Sequence, residues 1–366
     1  MKKKWIFSHD FYPIKWWQWT HIYNIYNELL NLFFYNFIIF SPLKNELKNH
    51  KTIFSETNNS KLKNIWMSIK LFFSFEKIIK ENDLWIIHLH WGPWGLFLFK
   101  KLNIPVIFTS HHTYWQQYNY VKWQKWKIIF YFFEKLSYHL ADKIICVSED
   151  TKNILKEKYN IEENKLVYIP NWINLEEFKY DEKIDKEENS LVFVWRLDER
   201  KWIDFLVEAM SWILKENNKI KLYIIWEWKL KNKLENFINF NKLEKNIIFC
   251  WKLSWEELRK RIQKSEIMIT PSVFEWFWIS VLEWMALKVP VIWTNVDGIR
   301  TIIKNWKNWI LVKYWNNKDL KDKIIELINN KDLQKKYIEN AYNDLESKYN
   351  WNLITKKTID EYEKLV

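Results

Sequence analysis

Two glutamates with seven residues between them give the strongest chemical signal in this chain of 366 residues. Glu275 and Glu283 lie in the run PSVFEWFWISVLEWMA at 271–286, where a strand end is followed by a loop and the first turns of a helix. The first backbone N–H groups of a helix have no partner inside it and favour negative charge. One carboxylate in the loop and one inside the helix could therefore bind hydroxyl groups on opposite sides of an anion.

A basic pair follows another strand-like run. Arg196 and Lys201 lie in WRLDERKW at 195–202, just after an apolar run and before a helical pattern. The guanidinium fork matches phosphate oxygens, and lysine adds a point charge on a flexible stem. Together these side chains could stabilise a leaving diphosphate without a metal ion. For the pair taken alone, a solvated basic turn is the alternative interpretation.

Tryptophan stands at positions where tight turns and phosphate-binding loops require glycine. The chain has 27 Trp and 3 Gly, whereas average usage of about 7% would give roughly 26 glycines. With glycine at Trp16, Trp17 and Trp19, the run at 12–25 becomes a glycine loop that opens a helix after the first strand. Such a loop lets the backbone approach a sugar or a phosphate closely because glycine has no Cβ atom.

The same exchange turns the segments 192–210 and 270–300 into ordinary strand-turn-helix sequences. The positions concerned are Trp195, Trp202, Trp276, Trp278, Trp284 and Trp293. Abundant Lys, Asn, Ile, Phe and Tyr indicate an AT-rich gene. We therefore hypothesise a lineage that reads UGA as glycine, with the gene translated as if UGA encoded tryptophan. A truly tryptophan-rich protein is the alternative.

Four histidines end predicted parallel strands, where open α/β sheets bind ligands. They are His88 and His90 in IIHLHWG, and His111 and His112 in FTSHHTY. For His88, His90 and His112 a structural role is an equally good interpretation. No group of Cys and His, and no loop rich in Asp or Glu, has the spacing of metal ligands. The sequence therefore predicts no metal site.

Strand-like apolar runs alternate with helical patterns along the chain, which favours parallel sheets made of βαβ units. We expect an N-terminal Rossmann-like domain over 1–172, a charged linker over 173–190 and a second Rossmann-like domain over 191–345. A C-terminal helix over 346–366 is expected to pack back on the first domain. The predicted strands lie at 4–9, 36–41, 84–90, 105–111, 143–148, 165–170, 191–195, 220–226, 246–251, 267–272, 289–294 and 310–313.

Charge and composition limit the partners and the compartment. The net charge of +12 favours an anionic partner or reflects AT-rich coding bias, and no nucleic-acid-binding module accompanies it. The basic start MKKKWIF lacks an apolar segment of signal-peptide length, and the longest apolar runs are too short to span a bilayer. Cys146 and Cys250, both in apolar runs, indicate buried thiols in a reducing compartment. We therefore expect a cytoplasmic protein that does not bind nucleic acid.

Taken in order, the motifs resemble those of retaining glycosyltransferases of the group 1, or family 4, type. The resemblance covers nearly the whole chain and implies a GT-B fold, in which two Rossmann-like domains face each other across a cleft. Its pieces are the loop at 16–19, HLHWG near 90, TSH at 109–111, SE at 148–149, PNW at 170–172, WRLDERKW at 195–202, WEW at 226–228, WKLS at 251–254, the glutamate pair, PVIWT at 290–294 and NWKNWILV at 305–312.

The resemblance also implies roles for particular residues. Arg196 and Lys201 would hold the donor diphosphate, and Glu283 the nucleotide ribose. Glu275 would bind the transferred sugar, and His111 would lie beside the sugar and the acceptor. The further donor-binding residues that it implies are Trp16, Trp17, Trp19, Leu253, Phe277, Trp278 and Ile279.

The implied reaction moves a sugar from a nucleotide-diphosphate sugar to a glycan, lipid-linked or small-molecule acceptor, as in cell-envelope polysaccharide synthesis. Such enzymes need no metal or cofactor and retain the anomeric configuration. One loop departs from the family, since DGIRT keeps Gly298 but has Thr301 in place of an acid. Two alternatives are a nucleotide-sugar 2-epimerase on the same fold and a non-catalytic protein that stacks surface tryptophans on carbohydrate.

Aromatic and basic residues at 114–135 form either a peripheral membrane contact or a buried amphipathic helix.

The recoding hypothesis predicts the codons of the gene. In-frame TGA should encode most of the tryptophans in the glycine-requiring motifs, because those motifs need glycine where the chain shows tryptophan. Sequencing the coding DNA checks this, and TGG at most of these positions would contradict the hypothesis. The positions are Trp16, Trp17, Trp19, Trp195, Trp202, Trp226, Trp228, Trp276, Trp278 and Trp293.

Overall fold

A computed structural model shows the chain as two compact units, Met1–Trp172 together with Trp351–Val366, and Ile173–Asn350. Each unit contains one parallel sheet. The structure describes residues 3–8, 36–41, 50–52, 63–90, 101–120, 122–173, 175, 178–194, 203–225, 231–250, 253–272, 279–296, 299, 302–305, 307–313 and 316–365.

The first unit is built on a seven-stranded sheet. Its strands are β1 Lys3–Ser8, β2 Asn36–Ser41, β3 His50–Thr52, β4 Leu84–His90, β5 Val106–Ser110, β6 Lys143–Cys146 and β7 Leu166–Tyr168. Neighbouring strands run parallel in the order β3-β2-β1-β4-β5-β6-β7. All five side chains of β5 are buried, as expected for a central parallel strand covered on both faces. The described helices are α1 Lys63–Asn82, α2 Tyr114–Tyr120, α3 Tyr131–Leu140 and α4 Glu149–Glu157, with 3₁₀ turns at Lys122–Phe130 and Glu163–Lys165.

The second unit has a six-stranded sheet. Its strands are β8 Glu187–Val194, β9 Lys221–Ile225, β10 Ile247–Cys250, β11 Ser265–Thr270, β12 Val291–Thr294 and β13 Ile310–Val312. They are all parallel in the order β10-β9-β8-β11-β12-β13. Counted within the unit, this is the order 3-2-1-4-5-6 of a Rossmann sheet. The described helices are α5 Ile203–Glu216, α6 Lys231–Phe240, α7 Trp255–Lys264, α8 Ile279–Ala286, α9 Asn317–Ile328 and α10 Lys331–Lys348.

The predicted fold class is confirmed, since both units are α/β domains with parallel, doubly wound sheets. Every strand predicted from an apolar run is present. β3 is not predicted, because its three residues HKT contain no apolar run. Within the described ranges, no helix has both the length and the apolar character needed to cross a membrane.

Two boundaries differ from the expected ones. β8 begins at Glu187, inside the segment expected to be a linker, and that segment belongs to the second unit. Four polar residues can form this strand because their backbone pairs with Ser265 and Lys221 on the neighbouring strands. At the other end, α10 continues past 345, and a new helix, α11 Trp351–Glu363, belongs to the first unit.

The last helix completes a core of the first unit. Ile354 and Tyr362 of α11 are buried in one cluster with Ile86, Ile107 and Ile145, which lie on three neighbouring strands. Burying side chains of this size contributes roughly 1.5–3 kcal/mol each. The packing holds the Tyr362 hydroxyl beside the carboxyl ends of β4 and β5.

Three tryptophans of the second unit are buried in its core. The rings of Trp284 and Trp293 have centroids 5.4 Å apart, and Trp309 is also buried. The Nε1–H of Trp309 has no hydrogen-bond acceptor among the described residues, and burying such a donor costs about 1–3 kcal/mol. At these three positions, the alternative of surface tryptophans that stack on carbohydrate is wrong.

Lys186 anchors the start of β8. Its Nζ donates to the carbonyl oxygens of Ser265 at 3.0 Å and Lys288 at 3.4 Å. The buried Glu266 lies nearby and accepts from the Asn189 N–H at 2.7 Å. Burial lowers the pKa of Lys186 to about 7, because the opposing attraction of Glu266 offsets the loss of hydration only in part.

We expect Lys186 to make the stability of the second unit depend on pH. Its pKa is about 7 when folded against an ordinary 10.5, so the unfolded chain binds more protons between these values. The free energy of unfolding then rises with pH in that window and is flat below it. Urea unfolding from about pH 6 to 10 should show this rise in the wild type and in the exposed control Lys183→Met, but not in Lys186→Met. Parallel curves for wild type and Lys186→Met would contradict the prediction.

Candidate active site

The second sheet reverses its winding direction between β8 and β11. These two strands are neighbours, β8 continuing to β9 on one side and β11 to β12 on the other. In doubly wound sheets, ligands bind outside the carboxyl ends of the strands at such a point. Arg196 follows β8 by two residues, and Glu275 follows β11 by five. The predicted site residues Arg196, Lys201, Glu275, Phe277 and Trp278 themselves lie outside the described residues.

Helix α8 carries two further predicted residues, Ile279 and Glu283. The helix begins at Ile279. Val281 and Leu282 are buried in the core, whereas Glu283 is partly exposed. The first N–H groups of a helix that begins here have no acceptor within it, and this arrangement favours an anion.

A threonine holds the start of the segment between β11 and α8. Thr294, the last residue of β12, accepts the Ser272 N–H on its Oγ1 at 2.9 Å and donates the same hydroxyl to the Ser272 carbonyl oxygen. Ser272 and Thr294 are both buried. The clamp fixes the backbone three residues before Glu275. Sequence reasoning missed Thr294, because its position in the apolar strand VIWT carries no signal for a contact with Ser272.

Leu253 lies between β10 and α7 and packs against the core of the second unit. The next residue, Ser254, caps α7 through a capping box, because its Oγ accepts the Glu257 N–H and Glu257 Oε2 accepts the Ser254 N–H at 2.8 Å. The motif at 251–254 contains the predicted donor-binding residue Leu253, and its Ser254 N–H is already used by the helix cap.

Three buried imidazoles lie together at the carboxyl ends of β4 and β5. The ring centroids of His88 and His90 are 4.3 Å apart, and those of His90 and His111 are 5.7 Å apart. His111 is 1% exposed. The structure thus brings His111 together with the two strand-end histidines that the sequence left open.

His88 has a structural role. Its Nδ1 is 2.5 Å from the Tyr362 hydroxyl, and its Nε2 is 2.7 Å from Thr109 Oγ1. A neutral imidazole, with one donor and one acceptor nitrogen, satisfies both bonds. Burial raises the pKa of Tyr362 well above its usual range, so the phenol stays protonated. His88 therefore ties the last helix to the middle of the first sheet.

The turn after His111 is closed by a second capping box. Thr113 Oγ1 accepts the Gln116 N–H at 3.2 Å, and Gln116 Oε1 accepts the Thr113 N–H at 2.9 Å. The pattern T-x-x-Q in HTYWQQ could have predicted this cap from the sequence. One residue earlier, His112 Nε2 lies 2.5 Å from Gln117 Nε2. Since an amide nitrogen only donates, His112 accepts there, which makes it a structural residue of the turn.

The remaining predictions concern the amino-terminal loop and metal binding. Trp16, Trp17 and Trp19 lie outside the described residues. Among the residues that the structure describes, no three His, Cys, Asp or Glu side chains are grouped as metal ligands. Cys146 is buried and Cys250 partly buried, and both are free thiols.

Two family models match consecutive parts of the chain. "Glycosyltransferase Family 4" matches residues 18–177, and "Glycosyl transferases group 1" matches residues 174–344. An uncharacterized glycosyltransferase of Methanocaldococcus jannaschii is 31% identical over 350 residues, which are 94% of this chain and 93% of that protein.

Two further similarities extend the comparison. A UDP-Gal:alpha-D-GlcNAc-diphosphoundecaprenol alpha-1,3-galactosyltransferase of Escherichia coli is 25% identical over 67% of this chain and 66% of its own length. The sucrose-phosphate synthase structure from Thermosynechococcus elongatus superposes with a TM-score of 0.82 at 18% identity, covering 100% of this chain and 99% of that chain. The chain belongs to the group 1, family 4 type of glycosyltransferases with the GT-B fold.

Proposed function

We propose that this glycosyltransferase moves a sugar from a nucleotide-diphosphate sugar to an acceptor, with retention of configuration and without a metal ion. The observation that carries the proposal is the adjacency of β8 and β11 at the winding reversal of the second sheet. WRLDERK follows one of these strands and the segment with Glu275 follows the other. Neighbouring strand ends thus lead into the basic pair and the acidic pair.

The donor side of the proposal uses charge to stabilise the leaving group. Arg196 and Lys201 would neutralise the diphosphate, and the start of α8 would add backbone N–H groups. Glu275 would bind sugar hydroxyls, and Glu283 the ribose. Such preorganised charge acts where negative charge develops in the transition state. This arrangement leaves no step that requires a metal ion.

In the proposed chemical step, the bond between the sugar C1 and the donor phosphate oxygen breaks, and its electron pair stays on the departing diphosphate. The acceptor hydroxyl oxygen bonds to C1 on the face that the diphosphate leaves, and its proton passes to the departing phosphate oxygen. His111, buried at the end of β5, would line the sugar and the acceptor.

The Escherichia coli relative supports a class of donor and acceptor. Its name gives a uridine-diphosphate sugar as donor and a diphosphoundecaprenol-linked sugar as acceptor. We extend both classes to this chain as part of the proposal. A lipid-linked acceptor requires the enzyme to work at a membrane surface.

The glycine reading of the tryptophans is part of the same proposal. An indole at Trp17 or Trp278 would occupy space where the backbone must approach phosphate and sugar. The buried Nε1–H of Trp309, which has no acceptor among the described residues, supports glycine in the NWKNWILV motif. We therefore expect the literal tryptophan chain to be inactive.

With glycine at the ten positions named above, the protein should turn over a nucleotide-sugar in the presence of a chelator. Arg196→Ala and Lys201→Ala should each slow the chemical step by about 10² to 10³, the usual loss for one preorganised charge. Glu275→Gln should reduce turnover more than nucleotide affinity, and Glu283→Gln the reverse. Donor turnover and calorimetric nucleotide binding measure these effects.

The exposed basic residue Lys264 of α7 gives a matched control, and Lys264→Ala should keep wild-type turnover. Full activity in the Arg196 and Lys201 variants, or strict dependence on a divalent metal, would refute the mechanism.

An aromatic and basic surface of the first unit supports membrane contact. It consists of Tyr118, Lys125, Trp126, Ile129, Phe132 and Phe133, all exposed. Trp126 is 60%, Ile129 61% and Phe132 69% exposed, whereas Tyr114 and Glu134 of the same segment are buried. Large apolar side chains beside lysine match the interface of an anionic bilayer. We propose that this surface rests on the membrane that holds the acceptor.

Binding to vesicles tests the membrane contact. Trp126→Ser with Phe132→Ser should lower partitioning onto phosphatidylglycerol vesicles by roughly 10-fold or more, because two buried aromatic side chains are lost from the interface. Phe240→Ser removes an aromatic residue of the second unit that is 87% exposed, and it should leave partitioning unchanged. Equal binding to uncharged phosphatidylcholine vesicles, or no loss in the double variant, would contradict the proposal.

A further inference from the structure

A buried carboxylate lies beside the turn that carries His111. Glu134 belongs to α3, and its Oε2 accepts the Tyr114 N–H at 2.9 Å and the Tyr159 hydroxyl. Tyr114 is the first residue of α2, so the carboxylate satisfies an N–H that has no acceptor inside that helix. Negative charge is also favourable at a helix start.

The same face of α3 makes a second contact with this turn. Tyr138 lies four residues after Glu134, and its hydroxyl donates to Ser110 Oγ at 2.8 Å. Residues four apart on a helix lie on one face. That face therefore holds Ser110, directly before His111, and Tyr114, three residues after it.

Aromatic packing fixes the carboxylate. The Tyr159 ring lies 4.7 Å from Tyr131 and 5.8 Å from Tyr138, centroid to centroid. Burial, with a further contribution from the Glu134 charge, raises the pKa of Tyr159 far above its usual range. The phenol therefore stays protonated and donates to Glu134. Its oxygen also accepts the Trp115 N–H at 3.3 Å.

We propose that Glu134 is a positioning residue for His111. It does not touch substrate but fixes the backbone from which the imidazole projects. A turn already closed by the Thr113 capping box needs no buried charge merely to begin α2, and burying a carboxylate is costly unless hydrogen bonds offset it. The inference rests on the role given to His111 in the proposed function.

A double-mutant cycle tests the inference in the full chain with glycine at the ten positions. Glu134→Ala should lower kcat by about 10- to 100-fold, the loss expected for a small misplacement of a group that orients the sugar and the acceptor, and leave the KM for the donor within about twofold. Glu134→Gln keeps an acceptor for the Tyr114 N–H and should recover part of this loss. In the His111→Ala background, Glu134→Ala should cause no further loss.

Glu361→Ala is the matched control. Glu361 is another buried carboxylate of the first unit, paired with Lys364, and its loss should lower thermal stability without lowering kcat. If Glu134→Ala does not fold, the same double-mutant cycle with Glu134→Gln tests the inference. Full kcat in a folded Glu134 variant, or a further loss in the His111→Ala background, would overturn the inference.

The imidazole nitrogen resonances of His111 separate this inference from the proposed function. They should shift in both Glu134 variants and stay unchanged in Glu361→Ala. If His111→Ala keeps full turnover, the role of His111 in the proposed function is wrong. The spectra then still decide whether Glu134 holds His111, and unchanged resonances in Glu134→Ala would refute that.

Discussion

Parallel pairing of β8 with β11 is the constraint on which the proposed donor site depends. The two strands are far apart in sequence, yet the pairing of Ile267 with Leu191 and of Met268 with Val192 places their carboxyl ends side by side. Taken alone, neither the basic pair nor the acidic pair indicates a binding site, since such pairs are common on protein surfaces. Their proposed chemistry follows from their place beside the point where the sheet reverses its winding direction. The Thr294 clamp on Ser272 then sets where the chain leaves β11.

In the first unit, hydrogen bonds fix the direction that the chain takes after β5. His111 follows a buried strand, but a strand end alone leaves the direction of the next residues open. Here the Thr113 capping box and the bonds from Tyr138 and Glu134 each remove part of that freedom. Their combined effect is a turn of defined geometry on a rigid sheet, which is the arrangement that precise positioning of a reacting group requires.

How much the sequence predicts depends on the range of the interactions. Strands such as β5 follow from continuous apolar runs, and the start of α8 follows from the local string around Ile279. The short polar β3 and the polar start of β8 escape such patterns, because only pairing with neighbours makes them strands. The contacts that shape the site are longer in range. Glu134 meets Tyr114 twenty residues away, and His88 meets Tyr362 at a separation of 274 residues. No local pattern encodes such partners, since tertiary packing selects them.

The contact between His88 and Tyr362 also bears on the order of folding during synthesis. The first unit is discontinuous, and the strand face formed by Ile86, Ile107 and Ile145 is covered by side chains of α11. The ribosome must therefore synthesise all of Ile173–Asn350 before α11 can cover this apolar face. Until then the nascent first unit exposes a surface that promotes aggregation or chaperone binding. The second unit, continuous in sequence, can finish folding before the unit that precedes it.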